Sequence, residues 1–159
     1  MQGFWNNFWG RLLMFLALFA GGLAIGGLFT NAGVNSDWYQ NANQAPWTPP
    51  GWVFGAAWSL IAVTFSVYMA GAIVRVSKPA VLWRAFAVQW VLNVGWNPVF
   101  FHFRQVLLGL VVIASLAILV YWFLLGTRKQ TAPFNWAVLP YAIWITIAVS
   151  LNAYIWLQN

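Results

Sequence analysis

Five apolar runs, each close to the length of a bilayer-crossing helix, divide this chain, and nearly every charge falls between them. They extend from Leu12 to Phe29, Trp52 to Val74, Ala85 to Phe101, Val106 to Leu125 and Phe134 to Leu157. Crossing a hydrocarbon core about 30 Å thick takes about 20 apolar residues as a helix. Lipid offers no partner for a bare N–H or C=O, so helices are the economical answer. A transmembrane barrel would require strict alternation, which runs such as VVIASLAILV lack. The first run exceeds the usual core of a signal peptide, and its cation, Arg11, is not at the very start.

Composition supports a membrane as the solvent. Hydrophobic residues make up 63% of the chain and charged ones 5%, against about 25% charged in a typical soluble domain. So few charges cannot cover a surface in water, whereas lipid solvates an apolar exterior. The expected fold class is an all-α membrane protein, a five-transmembrane-helix bundle. It forms a single domain over 1–159, with spans at about 11–30, 51–74, 83–102, 105–126 and 134–157 and a lid at 31–49.

Seven Lys and Arg face one acid, Asp37. The cations are scattered between apolar runs rather than clustered on one face, which argues against nucleic acid as a partner. Arg11, Arg75, Lys78, Arg84, Arg128 and Lys129 group on the side of the N-terminus, and Arg104 on the other. The positive-inside rule then puts the N-terminus in the cytoplasm and the C-terminus and first long loop outside. Short connections elsewhere predict that successive helices are neighbours. Pro49 and Pro50 suit the start of the second helix. Pro98 is expected to kink or end the third, and Pro140 to bend the fifth. Gly22 and Gly26 form a GxxxG that admits a close helix, from this chain or a second copy.

Much familiar chemistry is excluded. One histidine and one acid leave no basis for a Ser-His-Asp triad unless Asp37 and His102 meet. No cluster of His, Cys, Asp or Glu is available for a metal, so no metal site is expected. No acid lies within a span to carry a proton relay. Lys78 and Lys129 lie in loops, away from any internal Schiff base. What remains is aromatic and amide chemistry: 13 Trp, 13 Phe and 5 Tyr. Trp5, Trp9, Trp83, Trp122 and Trp136 lie near span ends, as interfacial belts do. Trp58, Trp90, Trp96 and Trp144 lie deeper, where they either pack helices or face a flat conjugated guest. Gln89, Asn93 and Asn97 recur every four residues, and Asn152 lies in the last run. Amides there either bond between helices or orient a ligand's polar groups.

Three segments resemble a known family. Trp38-Tyr39, then Pro46 to Phe54 and Trp58, resemble a WY…KPxWTPPGWVF…W signature. Asn93 to Phe101 resemble NxxWNPxFF, and Leu139 to Trp156 resemble PYxxWxxxA…LNxxxW. The order and spacing match those of the translocator protein (tryptophan-rich sensory protein, TspO/MBR) family. That resemblance implies a homodimer whose pocket, capped by the first long loop, binds porphyrins, sterols and benzodiazepine-site ligands. Carried over by position, Tyr39 belongs to the lid, Trp58 and Trp144 flank the ligand, and Asn97, Phe100 and Ala148 line the pocket. Trp47, Trp52, Asn93 and Trp96, in the same motifs, complete the candidate set. Bacterial relatives are associated with light-dependent degradation of protoporphyrin IX, which makes Trp58 and Trp144 the candidate catalytic residues. No cofactor is obligatory on this reading; porphyrin is ligand or substrate, and membrane lipid is the surrounding partner. Transport of tetrapyrroles or sterols and a ligand-responsive regulatory scaffold are the alternatives. Gln44-Ala45 replace the family's Lys-Pro, Gly55 a common proline, and Leu157 the Arg of a cholesterol pattern, so high-affinity cholesterol binding is not carried over.

Overall fold

The computed structural model describes residues 7–159, so Trp5 lies outside the described residues. Helix α1, Phe8–Val34, begins where the Asn7 side chain accepts a hydrogen bond from the Gly10 N–H at 2.6 Å, satisfying a donor that no helix turn can reach. It runs on through Asn31, so the lid is shorter than expected and starts at Asn35. Ser36 caps the brief α2, Asp37–Gln40. Helix α3, Gly51–Ala72, follows directly on Pro49-Pro50. Helix α4, Pro79–Asn97, begins on a proline, then continues as one π turn, Pro98–His102. Pro98 therefore ends the α-helix but not the spiral, because only the bond from its missing N–H is lost. Helix α5, Val106–Tyr121, passes into a π turn, Trp122–Gly126. After the short α6, Arg128–Thr131, a 3-10 turn at Phe134–Val138 leads into α7, Leu139–Gln158. Pro140 thus occupies the first turn of α7, where it bends nothing, since that N–H has no helical acceptor.

Among the described residues, four helical segments are long and apolar enough to cross a membrane: Phe8–Val34, Gly51–Ala72, Val106–Gly126 and Phe134–Gln158. This corrects the expected five-transmembrane-helix bundle, and the segment 83–102 is the one that falls away. Its α-helix stops at Asn97 and carries Arg84, Gln89, Asn93 and Asn97 along nineteen residues. Such a helix is too polar to be solvated by lipid on its own and gains its stability by packing. The protein is an all-helical, multi-pass membrane protein with no strand among the described residues.

Helix α1 packs against both α3 and α4, and α5 packs against both α4 and α7. The consecutive α3 and α4 are therefore not close neighbours, contrary to expectation, because α1 lies between their backbones. They reach each other through long side chains such as Phe65 and Phe86, stacked at 6.4 Å. The GxxxG resolves within the chain: Gly22 faces Trp90 and Val94, and Gly26 faces the Asn97 amide.

One end of the bundle is solidly filled. Phe15, Phe65, Tyr68, Phe123 and Tyr141 are fully buried there. Edge-to-face ring pairs such as Phe65–Phe123 at 5.2 Å set their geometry. Gln89 donates to the Tyr141 hydroxyl at 2.9 Å, so this amide bonds between helices. The cations other than Arg104 collect at the same end. Arg11 donates to the Ala70 carbonyl at 2.9 Å, and the Arg75 guanidinium lies 4.4 Å from the Phe134 ring centre. The opposite end, beneath the lid, is not filled.

Candidate functional site

A cavity of about 650 Å³ opens under the lid between α1, α3, α4 and α7. Its size falls in the range of about 300–1,000 Å³ usual for small-molecule sites. The residues that make it hollow are small: Gly22, Gly26, Gly27, Gly51 and Gly55 all border it. Gly27, Gly51 and Gly55 have open space where a Cβ would stand. The glycines of α1 and α3 thus act as absent side chains, and the aromatic residues opposite them form the walls.

On α4 and the π turn, Trp96 and Phe100 stack at 5.0 Å and an interplanar angle of 16°, giving one flat wall. Phe101 meets Phe100 edge-on at 5.0 Å. The π turn matters here, because its wider spiral brings two consecutive phenylalanines inward rather than one. Trp58 and Phe54 of α3 line the facing side, and Ala148 keeps α7 short of the space between. Tyr39 hangs from the lid, with its ring 5.5 Å from Phe101. Burial pushes its phenol above the ordinary 10.0, since the phenolate would be poorly solvated there.

The polar atoms at this site are amides and hydroxyls. Thr30 donates to the Asn97 side-chain oxygen at 2.5 Å, and the Asn97 amide donates to the Asn93 carbonyl at 2.9 Å. Trp96 donates its indole N–H to Asn152 at 3.0 Å, and Asn152 donates to the Val106 carbonyl at 3.0 Å. The side-chain amides of Asn97 and Asn152 are thus already engaged in holding helices together. Among the described residues, no Lys, Arg, Asp, Glu or His borders the cavity. The arrangement can stack on a planar guest and meet a few hydrogen-bonding groups, and it offers no acid–base pair.

The candidate residues divide into two groups. Tyr39, Trp58, Asn93, Trp96, Asn97, Phe100 and Ala148 come together around the cavity. Trp47, Trp52 and Trp144 do not border it. Trp47 reaches over the lid to Ser150, donating at 3.1 Å, and lies edge-on to Tyr154. Trp52 is 74% exposed and points away from the bundle. Trp144 is buried behind Phe54, ring to ring at 5.1 Å and 87°, and its N–H has no partner among the described residues. One residue per turn separates wall from backing: Ala148 and Asn152 face inward on α7 while Trp144 lies one turn deeper. Sequence reasoning missed Phe54, Thr30, Gln44 and Thr48. Phe54 stood in the recognised motif four residues before Trp58, a spacing that shares a helix face.

Residues 14–157 match the profile of the TspO/MBR family, which is nearly the whole chain.

The chain belongs to the TspO/MBR family.

This TspO/MBR chain is 32% identical to the tryptophan-rich sensory protein of Cereibacter sphaeroides, over 92% of its own length and 90% of the relative's. It is 32% identical to protein CrtK of Rhodobacter capsulatus over 77% of this chain and 78% of that one. The human translocator protein is 28% identical over 87% and 83%, respectively. The tryptophans of this TspO/MBR protein stand at two kinds of position, Trp58 and Trp96 at the cavity and Trp47 and Trp144 around it.

Proposed function

We propose that this membrane protein binds porphyrins and related flat, apolar, conjugated ligands in the cavity beneath the lid. The observation that carries the reading is the Trp96–Phe100 plate facing Trp58 across a void. Two aromatic walls and a glycine floor favour a planar guest over a bulky one, since offset stacking is gained on both faces. With no cation at the cavity, a porphyrin's carboxylates belong at the mouth, beside water and the amides of Asn31 and Gln44.

Titration with protoporphyrin IX should quench tryptophan emission saturably. Quenching that stays linear with added porphyrin and is no weaker in W58F would count decisively against the proposal. The same contact favours a second reading, light-driven degradation of the bound porphyrin by dioxygen, which takes up the electrons, with Trp58 as the indole at the guest's face. Carried flux of tetrapyrrole into sealed vesicles would distinguish a transporter from a receptor. We further place the basic end in the cytoplasm, on the strength of its Lys and Arg content. The chain has no cysteine, so single cysteines at Lys129 and Asn43 would report the two faces by their labelling with a membrane-impermeant maleimide.

A further inference from the structure

A second, smaller cavity of about 270 Å³ lies outside the porphyrin site, between the end of α1 and the segment after the π turn. Its lining combines two chemistries. Leu28, Phe29 and Ala32 supply an apolar side, and Ser36, His102 and Arg104 supply a polar one. Leu28 is 74% exposed, so the apolar side is open to the surroundings of the bundle. The His102 ring lies edge-on to Phe29 at 6.1 Å, at the line where the two halves meet.

Arg104 is the feature that needs explaining. It has a φ of 55°, the left-handed region that L side chains adopt at a cost, and it is the one non-glycine residue there among the described residues. Asparagine or glycine would fit that turn more easily. Its guanidinium also makes no hydrogen bond or ion pair with a described residue. The other cations lie at the far end of the bundle. Asp37 follows Ser36 directly but does not border the cavity. A strained arginine kept over a half-apolar cavity, at the membrane-surface end of a helix, points to an anion with a hydrocarbon tail.

We propose that this cavity holds the headgroup of an anionic phospholipid. Arg104 pairs with the phosphate, His102 supplies a further polar contact, and an acyl chain lies along Leu28 and Phe29. A free phosphate would use the polar half alone and leave the apolar half empty, which is why a lipid is the better match. The proposal is independent of porphyrin binding.

The test uses the full-length protein in phosphatidylcholine nanodiscs containing phosphatidylglycerol with a photoreactive headgroup, followed by peptide mapping. Labelling should fall on the segments around Phe29 and Arg104. One basic residue at a membrane surface is worth about fivefold in anionic-lipid binding. R104Q should lower labelling at these segments by about that factor while leaving labelling near Lys129 and porphyrin quenching unchanged. R104K should retain it. R104G should lose it while gaining thermal stability, which separates the lipid contact from damage to the fold. Equal labelling of wild type and R104Q would overturn the proposal. So would equal labelling by a photoreactive phosphatidylcholine, or displacement by millimolar inorganic phosphate.

Discussion

The indole N–H of Trp96 ends on the side-chain oxygen of Asn152, 3.0 Å away, and ties α4 to α7 across the floor of the cavity. The less apolar α4 is thereby joined to a helix able to cross the membrane. Replacing Trp96 with Phe would keep a stacking ring against Phe100 but leave Asn152 one donor short. Hydrogen bonds between membrane helices are worth about 0.6–2 kcal/mol. W96F should therefore lower thermal stability in detergent by about that amount, while N152A should cost less in the W96F background than in wild type, keeping only the loss of its bond to the Val106 carbonyl. Additive losses in a double-mutant cycle would show that the two residues do not act as a pair.

The glycines of α1 make opposite predictions one residue apart. A Cβ on Gly26 would stand 2.7 Å from the Asn97 amide nitrogen, whereas one on Gly27 meets nothing within 4 Å. G26A must displace Asn97 and the Thr30 bond with it, at a cost of about 1–3 kcal/mol. G27A should change stability by less than about 0.5 kcal/mol yet weaken porphyrin binding by filling cavity space. Thermal unfolding and tryptophan quenching, measured on both variants, check the pair.

Light chemistry should distinguish the two candidate catalytic tryptophans. Trp58 borders the cavity, and Trp144 is screened from it by Phe54. Illuminated with protoporphyrin IX, W58F should lose most of any product that wild type forms, and W144F should retain most of it. Equal loss in both would mean that the guest reaches past Phe54.

The lid is latched to the last helix. Asn43 accepts from and donates to the Asn159 side chain, and its own amide donates to the Gln158 carbonyl at 2.9 Å. Removing Gln158 and Asn159 should speed porphyrin release several-fold with little change in association, because unlatching acts on escape. Stopped-flow quenching and chase experiments would show it.

Tyr39 gives the lid a pH dependence. Its folded-state phenol ionises above 10.0 because of burial, so the unfolded chain loses this proton first as pH rises. The contribution of Tyr39 is thus whole below pH 10.0 and is lost as pH climbs through the folded value. Y39F should flatten part of the alkaline fall in stability relative to wild type and leave neutral-pH stability nearly unchanged. Parallel alkaline limbs for the two proteins would argue against a buried phenol.

The membrane character, the helical class and the aromatic nature of any site were legible from the chain alone, because each follows from local composition. Scarcity of charge selects lipid as solvent, lipid demands internally bonded backbone, and proline positions mark helix starts. Motif spacing likewise located Trp58, Trp96, Asn97 and Phe100, which the fold gathers around one void. What the tertiary structure decided were relations between distant segments. The third apolar run reads as a span when its residues are counted, but its Gln89 and Asn97 amides are spent on Tyr141, Thr30 and its own backbone, and its α-helix stops at Asn97. Trp144 shares its motif and its helix face with Ala148 yet stands behind Phe54, because it lies one turn deeper and Phe54 of another helix fills the space before it. A void is defined by side chains that are absent on three or four helices at once, and no single stretch of sequence contains that information.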